Sequence, residues 1–175
     1  MANYFSSDFH LGHKVIVPKY RDFSSQDEHD SLILDQIAAL SKRDILYVLG
    51  DFIFDSDRYD YYIEQLAKTS CRIKLVMGNH DSLKLYHEPR FEVQLPFFTY
   101  KDAWISHCPI HPDELRNRQG NIHGHLHGGQ IMLDDKPDPR YFNVNLDNHN
   151  HKFVNLDEIK EHYANLNIPD MCHIR

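Results

Sequence analysis

The sequence predicts an α/β fold, two mixed β-sheets packed face to face and flanked by helices, in a single domain over residues 1–175. Three observations carry this. Apolar strand-like runs alternate with helical patterns through the first half, a βαβαβ order that implies parallel strands joined by helical crossovers. Short strand-like runs then follow one another through the second half, enough for a second sheet. Polar clusters close five of these strands, at the carboxyl ends where ligands of open α/β sheets collect.

Residues 3–7 (NYFSS) read as the first strand. A helix over 25–40 opens on Ser25 with Glu28 three positions later, a capping box, and carries an apolar stripe through Ile33, Ile37 and Leu40. Residues 45–49 (ILYVL) are apolar throughout, as a strand buried on both faces must be. A helix over 58–68 and a strand over 73–77 complete the first half, with Tyr59, Tyr61 and Tyr62 assigned to packing and surface. Strands follow over 91–95, 103–106, 121–123, 131–133 and 141–146, with Phe97 and Phe98 assigned to the core and 143–147 expected to run near the site. The breaker-rich stretch 134–140 (DDKPDPR) reads as a surface loop, and a last helix over 156–164 starts with the pair Asn155 and Glu158.

The five clusters contain seven residues of metal-ligating type: Asp8 and His10 in SDFHLGH, Asp51 in LGDF, Asn79 in MGNHD, His107 in ISHCP, and His125 and His127 in HGHLH. Asp8 and His10 are two apart at a strand end, as are His125 and His127, so each pair points to one side. Asp51 follows Gly50, which lets the backbone turn to present a carboxylate that two cations can share. Oxygen and imidazole ligands describe a pair of hard-to-borderline divalent cations, Mn²⁺ first, with Fe, Zn²⁺ and Ni²⁺ also accommodated. Four positive charges against the two carboxylates leave a net +2, which attracts phosphate even on an acidic protein. His13 and Arg21 follow the first cluster and are candidates for contact with that phosphate, the alternative being a solvated or structural role. His111 and His123 flank clusters and read as supporting or surface groups; His29, His87, His149, His151, His162 and His173 carry no assignment.

Composition narrows the partners. The chain is 41% hydrophobic and 26% charged with a net charge of −7, so it lacks the basic footprint of a non-specific nucleic-acid binder, and nucleic acid is not favoured as substrate. Cys71, Cys108 and Cys172 form no CxxC pair and imply neither a disulfide framework nor a zinc–thiolate site. The N-terminus MANYFSSDFH lacks a secretory pattern and no apolar run reaches the ~20 residues of a membrane span, so a cytoplasmic location and no membrane partner are expected. No GxSxG or P-loop sequence offers a different chemistry.

The ordered set DxH, GD, GNHD, a lone His and GHxH, from Asp8 to His127, resembles the calcineurin-like metallophosphoesterases, and SDFHLGHKVI resembles the DxHxGH start of small bacterial and phage-type members. The resemblance implies one cation held by Asp8, His10, Asp51 and His127 and a second held by Asp51, Asn79, His107 and His125. It implies that His80 is the catalytic histidine, beside the leaving oxygen, with Asp81 holding its ring. The function expected is a dinuclear phosphodiesterase that attacks small or exposed phosphate esters with a hydroxide bridging the cations. The alternatives are a phosphomonoesterase on nucleotides or proteins, a nuclease, and a non-catalytic scaffold.

Overall fold

The computed structural model describes residues 1–54 and 57–166; Cys172 and His173 lie outside them. Along the chain the elements are β1 (Asn3–Ser6), α1 (Ile16–Tyr20), α2 (Gln26–Ala39), β2 (Ile45–Leu49), α3 (Tyr59–Ala67), β3 (Arg72–Val76), β4 (Phe91–Val93), β5 (Phe97–Tyr100), β6 (Ala103–Ser106), β7 (Gly120–His123), β8 (Met132–Leu133), β9 (Lys136–Pro137), β10 (Tyr141–Asn143), β11 (Val154–Asn155) and α4 (Leu156–Ala164). They form a five-stranded sheet of order β11-β1-β2-β3-β4 and a four-stranded sheet of order β10-β7-β6-β5. Both sheets are mixed: β1 to β4 are parallel with β11 antiparallel at one edge, and β10, β7 and β6 are parallel with β5 antiparallel.

β2 shows how the layers are specified. All five of its residues are buried. With the period of two, Leu46 and Val48 face a core shared with Ile33 and Ile37 of α2 and Tyr62 and Leu66 of α3. Ile45, Tyr47 and Leu49 face the other way, into a core shared with Ala103, Ile105 and Ile122 of the second sheet and Ile159 and Tyr163 of α4. Each such burial is worth about 1.5–3 kcal/mol, so a one-residue slip of β2 would cost both cores at once.

The helix caps follow the sequence in full at α4 and by half at α2. Asn155 and Glu158 make a reciprocal capping box. The Ser25 hydroxyl accepts the Glu28 N–H at 3.1 Å, but the Glu28 carboxylate reaches one residue further back, to the Ser24 N–H at 2.9 Å.

One element was not expected and three local expectations are corrected. α1 was not foreseen; Pro18 and three apolar residues in five give no amphipathic signal. Phe97 is an exposed β5 residue stacked on Trp104 at 4.5 Å, while Phe98 does pack between the sheets. The stretch 134–140 contains β9, which pairs with β8 across Asp134 and Asp135, both at positive φ as a two-residue primed turn requires. Residues 143–147 do not continue as a strand: Leu146–Asn148 is a 3-10 turn capped by the Asn145 side chain. Among the described residues no helix is long and apolar enough to cross a membrane.

Candidate metal centre

The chain leaving β1 runs beside the chain leaving β2, through Asp8 N–H to Gly50 O at 2.9 Å and His10 N–H to Asp51 O at 2.9 Å. This alignment sets Asp8, His10 and Asp51 together. The expected ligands then take backbone conformations that few side chains tolerate: φ is 58° at Asp8, 51° at His10, 54° at Asp51, 70° at His125 and 50° at His127. Asp and His are among the residues that enter the left-handed region, and such strain concentrates at functional sites. Gly50, at φ +89°, leaves room that any Cβ would deny, because a methyl there would run into the His107 ring.

Asp8, Asp51 and His107 each have one atom fixed by a hydrogen bond and one turned to the centre. Asp8 Oδ2 accepts the His125 N–H at 2.9 Å, while Oδ1 is buried without a partner. Asp51 Oδ1 accepts the His80 N–H at 2.9 Å, and its Oδ2 stands 3.7 Å from His10 Nε2 and 3.5 Å from His107 Nε2. His107 Nδ1 donates to Leu49 O at 2.7 Å, which leaves Nε2 for another partner, 3.0 Å from Asn79 Oδ1. His10, only 3% exposed, has no partner on either ring nitrogen. Asp8, His10 and His127 offer ligand atoms within 4.8 Å of one another, as do Asp8, Asp51 and His107.

This is a donor set that fits divalent cations. A buried, unpartnered polar atom costs about 1–3 kcal/mol, and among the described residues Asp8 Oδ1 and both ring nitrogens of His10 have no hydrogen-bond partner. Burial raises the Asp8 carboxyl, only partly offset by His107. Burial keeps the His10 imidazole neutral, the form a cation requires. Burial would raise Asp51 too, but His107, the His80 N–H and His10 bring it well below the usual carboxylate range.

A family model of the calcineurin-like phosphoesterases matches residues 4–170. The chain belongs to the calcineurin-like phosphoesterase family. Within it, the chain is 32% identical over 163 residues to the uncharacterized protein MJ1445 of Methanocaldococcus jannaschii, covering 89% of this chain and 88% of that one. It is 25% identical over 167 residues to the gene 66 protein of mycobacteriophage L5, covering 75% of this chain and 81% of that protein. Among solved structures it is similar to a protein of unknown function, AQ665 from Aquifex aeolicus, with a TM-score of 0.69, 25% identity, and coverage of 91% of this chain and 98% of that one.

The phosphoesterase fold brings all seven expected ligands to one end of the sheets, and it redistributes the supporting residues. His13 stacks flat on Phe54 with centroids 4.1 Å apart and, with His10, His80, His127, Ile16 and Tyr20, lines a cavity of about 570 Å³ over the cluster. His80 is exposed in that cavity, its ring centroid 5.6 Å from His10. Arg21 is not available to a phosphate: its side chain is fully buried. The guanidinium donates to Asp8 O at 2.6 Å, Phe9 O at 3.3 Å and Asp147 Oδ1 at 2.7 Å, and its Nη1 lies 2.6 Å from His29 Nε2. Asp81 likewise does other work than expected. Its oxygens accept the N–H groups of Asp51 at 2.9 Å, Phe52 at 2.7 Å and Gly78 at 2.8 Å, which ties the loops after β2 and β3 together rather than holding the His80 ring.

One contributor was missed. Asp147 Oδ2 accepts from His127 Nδ1 at 2.6 Å, which leaves His127 Nε2 for the centre, and Asp147 is itself held by Arg21. The Asp147 hydrogen bond raises the His127 imidazole, and His127 with Arg21 hold the Asp147 carboxyl at about 2 despite burial. Asp147 stands alone in the sequence, 20 residues past His127, so no spacing signal marks it.

Proposed function

We propose that this chain is a hydrolase of phosphate esters, a phosphodiesterase acting on small or exposed substrates with the help of two divalent cations. The observation that carries the reading is Asp51 Oδ2, which faces His10 Nε2 at 3.7 Å on one side and His107 Nε2 at 3.5 Å on the other, a carboxylate between two ligand groups. Asp8, His10, Asp51 and His127 would hold one ion, and Asp51, Asn79, His107 and His125 the other. Mn²⁺ leads among the ions this oxygen and imidazole set accommodates, with Fe, Zn²⁺ and Ni²⁺ behind it. Such a pair supplies an acidified water and neutralises charge on the phosphate.

The chain's own groups do the rest. His80, exposed in the cavity and tied by its backbone to Asp51, donates a proton to the leaving oxygen. His13, stacked on Phe54, orients a phosphate oxygen. Ile16 and Tyr20 give the cavity an apolar wall for an organic leaving group. A net charge of −7 supports a small phosphodiester over nucleic acid.

The test is hydrolysis of bis-p-nitrophenyl phosphate, p-nitrophenyl phosphate and single-stranded DNA, side by side, by metal-free protein reloaded with Mn²⁺. Metal-dependent cleavage of the aryl diester ahead of the other two supports the proposal. Preference for the monoester makes the protein a phosphatase, preference for DNA makes it a nuclease, and no turnover with metal bound leaves an enzyme of narrow specificity or a scaffold.

A further inference from the structure

The half of the centre around His107 carries a thiol that the oxygen-and-imidazole description leaves out. Cys108 Sγ, a His107 ring nitrogen and a His125 ring nitrogen all lie within 4.8 Å of one another. The placement comes from the backbone. Gly124 N–H donates to His107 O at 2.9 Å and the Ser106 hydroxyl to Cys108 O at 2.6 Å, so the turn after β6 is pinned against the turn after β7. Cys108 is a free thiol on the exposed side of the cluster, whereas Cys71 is buried with its Sγ against Ile37 O. Beside it, Asp8 is fully buried with an unpartnered Oδ1 and groups with Asp51 and the same His107.

We infer that Cys108 is a ligand of the cation held by His107 and His125, a thiolate arm that turns this half of the centre toward zinc-like ions. The inference rests on the reading above that these histidines hold a cation. Separations up to 4.8 Å exceed the sulfur–nitrogen distance around one tetrahedral zinc, so the exposed side chain rotates inward on binding, closing to Zn–S and Zn–N lengths of about 2.3 and 2.1 Å. The thiol proton leaves to solvent and one metal–sulfur bond forms; no oxidant is involved. Thiolate favours Zn²⁺ and Co²⁺ over Mn²⁺, so the two halves of the centre differ in selectivity: Asp8, His10 and His127 offer only oxygen and nitrogen. The spacing His107-Cys108 gave no sign of this, because zinc–thiolate patterns are recognised by paired cysteines.

Titration of the metal-free protein with Co²⁺ to saturation tests the assignment. The expected spectrum has visible d–d absorption and a near-ultraviolet thiolate-to-cobalt band; Cys108→Ser keeps the first and loses the second, and Cys71→Ser keeps both. Zn²⁺ affinity at this half falls about 10–100-fold in Cys108→Ser while Mn²⁺ affinity is little changed. Zn²⁺ also slows alkylation of Cys108 by iodoacetamide at least about tenfold, read by peptide mass with Cys71 as internal control. Visible absorption without the near-ultraviolet band in the wild-type chain overturns the thiolate ligand and leaves the cation reading standing. Neither absorption removes both.

Discussion

The two halves of the proposed centre are built differently. Around Asp8 and His10, 0% and 3% exposed, the expected ligands are locked by backbone pairing between strand ends and by a line of side chains from the buried Arg21 through the part-buried Asp147 to His127. Around His107 and His125 the inner ligand is buried, but Asn79 and Cys108 stand in solvent, as does His80, whose ring lies over His10. A carboxylate's position is decided deep in the fold, and the groups that meet substrate are held by loops. The contrast separates residues whose loss removes metal or stability from residues whose loss removes chemistry alone.

On the proposed reading Asp51 is shared by both cations, so Asp51→Asn should have the largest effect: loss of bound metal at both positions and of phosphodiester hydrolysis by about 10³-fold or more, checked by metal analysis beside kcat/KM. His80→Ala should separate chemistry from structure. It is exposed in the cavity, so kcat falls by about 10²–10³-fold while metal content and Tm hold. A drop in metal content with it would move His80 to the ligands.

The deep half answers differently. Arg21→Met strands Asp147 and three other acceptors, a cost of about 3–5 kcal/mol, read as a lower denaturation midpoint. Asp147→Asn keeps the shape but weakens the hold on His127, lowering metal affinity about 10–100-fold with a smaller stability loss. The smallest effect is a control outside both halves: Asn155→Ala removes the α4 cap for about 1 kcal/mol and leaves metal affinity unchanged. Equal metal loss in Asn155→Ala and Asp147→Asn would end the distinction between the halves.

The grouping of the candidate residues was legible because their pattern is local: an Asp-x-His or Gly-His-x-His at a strand end announces itself in a few residues. The sheets were legible because β2 is apolar at every position and the caps at Ser25 and Asn155 mark helix starts. What was not legible is long-range. Arg21 sits close in sequence to the first cluster, yet its role is set by Asp147, 126 positions away, whose pairing draws the guanidinium into the interior. Asp81 adjoins His80, but three backbone N–H groups claim its oxygens first. The left-handed φ of five ligands has no compositional sign at all.

The measurement that bears most directly on the central claim is anomalous diffraction from crystals grown with Mn²⁺. The account predicts two peaks flanking Asp51, about 3.5–4 Å apart, one beside His10 and His127 and one beside His107 and His125. One peak or none, from protein that still hydrolyses bis-p-nitrophenyl phosphate, would contradict it.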